Sequence, residues 1–210
     1  MGKRKRIPEE ARREQILGAA FDVACRAGIG RLTVRAVAAE AGVSHALVLF
    51  HFGRKERLVH DLLDWVLDIT SVLHISEDVA RFPRARDRFH ALLEQEVTRQ
   101  SHQPEHTRLF LEYWALGTQH EEIRTRIAAE LERYREAFRG IMADLIGEDP
   151  LLFPGATADG LSAVAVSWIQ GCAVQALVAP DRFDTDTYLA ALRGMMARPG
   201  GEAGHHVETS

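Results

Sequence analysis

Thr33, Gly42 and Ser44 stand at the spacing of two short helices joined by a tight turn, within TVRAVAAEAGVSHALVLFHF at residues 33 to 52. Each hydroxyl falls where a side-chain oxygen can accept a hydrogen bond from an orphaned backbone N–H at a helix start. Gly42 falls at the turn, where a left-handed backbone costs glycine no Cβ clash. Val37, Ala41, Val43 and Val48 recur where two crossed helices bury side chains, and Ala38 is small enough for close backbone approach. The chemistry such a pair performs is DNA reading, with the second helix in the major groove. Helix pairs with a glycine turn also occur in proteins that never meet nucleic acid, so charge has to decide. Residues 1 to 60 carry 12 Lys+Arg against 6 Asp+Glu, a balance of +6; residues 61 to 210 carry 14 against 24, a balance of -10. A basic module joined to an acidic body is the electrostatic footprint of a phosphate-binding head.

Other residues that could do chemistry lead elsewhere. His102 and His106 have the four-residue spacing that binds a metal on one helix face, but Pro104 lies between them, and the pair reads as a loop without a metal. His205 and His206 fall in the tail. No GxSxG elbow, phosphate loop, dinucleotide fingerprint or CxxC pair occurs, so neither an enzyme nor a cofactor is expected. Cys25 and Cys172 lie in apolar stretches and read as small buried hydrophobes, not as a disulfide.

The elements that must position these groups are helices. No run alternates with a strand's period, and the expected fold class is all-α: an N-terminal three-helix helix-turn-helix head and a C-terminal helical body, about nine helices in all. Helix one is expected from Glu9 to Ala27, burying Ile16, Leu17, Ala20, Phe21 and Ala24. The motif's two helices follow. A fourth helix starts near Lys55, with Leu58, Leu62, Trp65 and Ile69 on a helical period. Further helices are expected over about 84–100, 105–118, 121–146, 157–178 and 185–197. The domain boundaries expected are a basic flexible arm at 1–9, the DNA-binding domain at 10–55, a regulatory and dimerisation domain at 56–198 and a disordered tail at 199–210. Residues 160 to 180, GLSAVAVSWIQGCAVQALVAP, carry no charge. Their serines, glutamines and alanines fit a helix packed between others or against its own copy, not a membrane span. The basic start MGKRKRIPEE has no apolar run behind it, so no secretory signal is read and a cytoplasmic location is expected.

The order of parts resembles the tetracycline-repressor (TetR) family of one-component bacterial regulators. Helix one ends in AGIG; LTVRAVAAEAGVS follows, then a short helix ending in FHF, then GRKERL. The body is similar to the family's BetI-like branch through LFLEYWALGTQHEEIRTRI and WIQGCAVQALVAPDRFD. The resemblance implies a homodimer packed through residues 157–178 and 185–197, whose two heads stand about one DNA turn apart on a double-stranded, palindromic operator. It further implies repression that ends when a small-molecule effector of unknown identity enters the body. An activator, a regulator without a ligand, or an architectural DNA binder would share the same head.

Within the resemblance, Thr33 and Arg35 match positions that contact the DNA backbone. His45 and Ala46 are candidates for base edges, while His51 and Lys55 would bind phosphate; Ser44 and Leu47 complete the expected DNA-binding set. The arm's Lys3, Arg4, Lys5 and Arg6 either follow phosphates or are simply solvated. Leu49 departs from the family's usual tyrosine, and with Leu47 it removes hydrogen-bond donors from the reading helix. In the body, Phe110, Tyr113, Trp114, Phe138, Met142, Trp168 and Cys172 are either cavity lining or plain core, with Glu112, Tyr134 and Gln175 as polar contacts. Glu112 among aromatics would suit a cationic ligand.

Overall fold

A computed structural model describes residues 8–70 and 75–196, without the side chains of residues 69 and 70. The arm with Lys3, Arg4, Lys5 and Arg6, the tail with His205 and His206, and the side chain of Ile69 therefore lie outside the described residues. Among the described residues the chain is all-helical, with ten α-helices. They are α1 (Glu9–Ala27), α2 (Val34–Glu40), α3 (His45–Phe52), α4 (Lys55–Thr70), α5 (Glu77–Ala80), α6 (Ala85–His102), α7 (Pro104–Gly117), α8 (Glu121–Glu148), α9 (Ala158–Val178) and α10 (Thr185–Met195). A single 3-10 turn, Ile29–Arg31, follows α1. The 3-10 turn and the four-residue α5 were not expected, since neither is long enough to display a period.

Pro104 ends one helix and opens the next. As the first residue of α7 it loses nothing by lacking an N–H. The expected loop pair is therefore wrong: His102 closes α6, and His106 stands in α7 with its ring 4.5 Å from that of Phe21.

Packing divides the chain into two compact units. Among the described residues the first holds 8–70 and 102–133, the second 75–101 and 134–196. This division differs from a boundary at residue 55, because α7 and the first half of α8 pack with the helix-turn-helix. In the first unit Ile16, Ala20 and Ala24 of α1, Val37 of α2, Val48 of α3 and Leu58 and Leu62 of α4 share one core with Leu109 and Tyr113 of α7 and Ile123 of α8. Each large side chain so buried contributes about 1.5–3 kcal/mol relative to exposure. In the second unit Val97, Cys172 and Leu189 form a core joined by Phe183 and Tyr188. Phe89 meets Phe138 edge-on at 6.1 Å and Trp168 at 6.2 Å. There the Glu148 carboxylate accepts hydrogen bonds from the Ala85 N–H at the start of α6, and the Tyr188 hydroxyl donates to the Trp168 carbonyl at 2.8 Å, holding α10 on α9.

Candidate nucleic-acid interface

Local chemistry fixes the two motif helices. Thr33 Oγ1 accepts from Ala36 N–H at 3.1 Å, and Ser44 Oγ accepts from Leu47 N–H at 3.1 Å, so both hydroxyls cap as expected. Gly42 has φ +64°. Around it Val43 N–H donates to the Ala38 carbonyl at 2.9 Å and Gly42 N–H to the Ala39 carbonyl at 3.2 Å. That pair of bonds is a Schellman motif, which ends α2 and turns the chain sharply into α3.

Four further side chains hold the motif on its scaffold, and none of these ties was expected from sequence. Arg13 of α1 donates to Asp61 of α4 at 2.5 Å and to the His51 carbonyl at 3.3 Å, while its guanidinium lies 4.6 Å from the Phe52 ring centre. Asp61 is 7 % exposed and also accepts from Arg57 at 2.8 Å. Gln15 Nε2 donates to the Ala41 carbonyl at 2.8 Å, pinning the end of α2. From α7, the buried Tyr113 hydroxyl donates to the Val59 carbonyl at 2.8 Å, and Glu112 Oε2 accepts from Ile29 N–H at 2.7 Å. Burial drives the Tyr113 phenol's pKa upward, keeping it a donor.

The expected DNA-binding residues gather on this one motif. Thr33, Arg35, Ser44, His45 and Ala46 are exposed; Leu47, His51 and Lys55 are half-buried. Lys55 opens α4, and its ammonium donates to the Gly30 carbonyl at 3.4 Å. His51 lies between the rings of Phe50, at 5.3 Å, and Phe52, at 6.4 Å. Val48 and Phe52 form the buried side of α3, leaving the opposite side to solvent.

The expected effector residues divide between the two units. Phe110, Glu112, Tyr113 and Trp114 belong to the first. Phe110 and Trp114 lie 6.0 Å apart against its core. Glu112 is committed to Ile29, and it also borders a small open groove of about 230 Å³ with Gly30, Ala115, Leu116 and Gln119. Tyr134, Phe138, Met142, Trp168, Cys172 and Gln175 belong to the second unit. Phe138, Met142 and Cys172 are buried there, whereas Gln175 is exposed on α9. Burial pushes the Cys172 thiol up to about 11 and, against the lowering effect of Arg108, the Cys25 thiol likewise to about 11. Both cysteines are free. Sequence reading missed Glu96, which is fully buried on α6. Its Oε2 accepts from Arg99 at 2.8 Å and from the Tyr134 hydroxyl at 3.4 Å, while Oε1 is buried with no hydrogen-bond partner. A carboxylate in phase with Phe89 and Leu93 on an otherwise apolar helix face was the signal for it.

A capped, glycine-turned helix pair braced from α1, α4 and α7 has the geometry of the helix-turn-helix class. Comparison with known proteins refines that class. Residues 16–62 match the model of bacterial regulatory proteins of the tetR family, and residues 85–198 match that of the BetI-type transcriptional repressor C-terminal region. An uncharacterized HTH-type transcriptional regulator in the dhlA 5' region of Xanthobacter autotrophicus is 28 % identical over 186 residues, 85 % of this chain and 86 % of that one. Among solved structures, a putative regulator of Saccharomonospora viridis in complex with choline superposes with TM-score 0.74 at 19 % identity, over 90 % of this chain and 96 % of that one. FadR of Bacillus subtilis in complex with stearoyl-CoA gives 0.68 at 16 %, over 87 % and 96 %. The chain belongs to the tetR family of bacterial regulatory proteins.

Proposed function

We propose that the chain is a cytoplasmic homodimeric repressor that holds a palindromic operator and releases it on binding a small molecule. The observation that carries this reading is the head: a capped α3 with a free outer face, next to Thr33, Arg35 and Lys55, in a segment that matches the family's DNA-binding model. Thr33, Arg35, His51 and Lys55 contact phosphates; His45, Ala46 and Leu47 face bases, with Ser44 capping the helix that presents them.

Support for the dimer comes from α9. Only a third of its apolar window is buried within the chain. Val164, Gly171 and Val178 repeat every seven residues, with Ser167 and Val174 beside them; the three valines are 41 %, 40 % and 79 % exposed in chain order Val164, Val174, Val178. A stripe of small and apolar residues along one side suits close packing against a second copy, with α10 alongside. In this reading Gln175 belongs to the interface and not to the effector site.

The effector is placed in the second unit, among Tyr134, Phe138, Met142, Trp168 and Cys172, with Glu96 Oε1 accepting a hydrogen bond from a ligand N–H or O–H. The choline and stearoyl-CoA complexes of similarly folded regulators carry ligands of very different chemistry, so the fold leaves the choice to such side chains. Phe110, Tyr113 and Trp114 serve chiefly as head core, and Glu112 as a tie to Ile29. α8 carries Ile123 and Ile127 in the first core, and its Tyr134, Phe138 and Met142 belong to the second unit.

Fluorescence anisotropy on a DNA site selected from a random library tests the DNA-binding assignment. Lys55→Ala weakens binding evenly across sequences and lowers the salt slope by about 1. His45→Ala instead changes which sequences are preferred. If both substitutions leave affinity unaltered, the docking is wrong.

A further inference from the structure

The outward face of α3 has a composition that hydrogen bonding cannot use. Val48 and Phe52 are 0 % and 4 % exposed and mark the inward side of the helix. At about 100° per residue, Phe50 lies about 160° from each of them, at the middle of the opposite face. Ala46 and Leu47, one turn earlier, flank it. Phe50 is 75 % exposed, and its described ring contact is the edge of His51. A phenylalanine so placed does nothing for the core, yet it stands on the outward side of the helix assigned above to DNA.

Three side chains with no donor or acceptor meet a surface whose base edges differ in chemistry. Purine N7, guanine O6 and thymine O4 offer acceptors, and adenine and cytosine amino groups offer donors; the thymine C5 methyl offers apolar surface in the major groove. The basic head and its match to the family's DNA-binding model make DNA the occupant of this face. We propose that Phe50, with Ala46 and Leu47, reads thymine methyl groups, so that each operator half-site carries thymines beneath the middle of α3. This rests on the head docking as described above. Sequence preference then comes largely from methyl burial, while phosphate contacts supply orientation.

The test uses the full-length dimer and its operator, selected from random duplex DNA. Each thymine is replaced singly by deoxyuridine, which pairs identically but lacks the methyl. At one or two positions per half-site the wild-type protein should lose about fourfold in affinity, the value of one buried methyl group. Phe50→Ala should bind thymine and deoxyuridine at those positions equally, with an unchanged thermal melt because the ring lies outside the core. Phe50→Leu should retain part of the discrimination. Equal wild-type binding to every deoxyuridine operator overturns the proposal, as does a deoxyuridine penalty that survives in Phe50→Ala. A library from which no sequence is enriched overturns instead the DNA-reading function itself.

Discussion

Asp61 shows how much of the seating of α3 depends on one buried carboxylate. Its carboxylate takes hydrogen bonds from Arg13 and Arg57, and Arg13 in turn holds the His51 carbonyl and covers Phe52. Asp61→Ala should cost about 1.5–3 kcal/mol, the range for hydrogen bonds to charged groups. Urea unfolding gives the value directly, and a loss under 0.5 kcal/mol would mean that the His51 carbonyl and the Phe52 ring hold Arg13 without Asp61. His90 in the second unit supplies a pH dependence. Burial first, then Arg193 and Arg86, lower its pKa below the usual histidine range. The unfolded chain therefore binds a proton at a higher pH than the folded one, and stability falls as pH drops below about 6.5. The melting temperature should decline between pH 7.5 and 5.5, and less steeply in His90→Gln; parallel slopes for the two proteins would rule His90 out.

At the scale of elements, Gly42 is the sharpest single determinant. Nothing lies within 4 Å of a Cβ built there, so Gly42→Ala tests backbone conformation alone. At φ +64° it should cost about 1–2 kcal/mol, read by calorimetry. A stability equal to wild type would show that the turn relaxes into another conformation. The helices themselves were legible because a 3.6-residue period is written into each long segment: α1 spans the Glu9–Ala27 expected from apolar spacing and the AGIG stop. The motif was legible because its caps and turn are local chemistry, completed within a few residues. The tie made by Glu112 and the burial of Glu96 were missed for the opposite reason. The partner of Glu112 is 83 residues away in sequence, and a carboxylate's partner at that distance leaves no trace in local spacing. Phe50 lay in plain view within FHF, but its exposure becomes readable only once Val48 is known to point inward.

For the whole molecule, the proposed assembly turns on α9. If the stripe along Val164, Gly171 and Val178 is covered by a second copy, Val174→Asp beside it should give monomers by sedimentation and lose most operator affinity, because one head alone holds half a site. A Val174→Asp dimer that binds DNA normally would move the interface elsewhere. The hydrogen bond from Ile29 N–H to Glu112, beside a glycine at φ +82°, carries a consequence for anyone building chimeric regulators. A head transplanted at residue 55 leaves behind α7 and with it Glu112, the acceptor for Ile29. A working graft has to carry its own α7, or arrive with a loop shaped to the one already there; the modular seam of this protein is three-dimensional and cannot be cut at a single peptide bond.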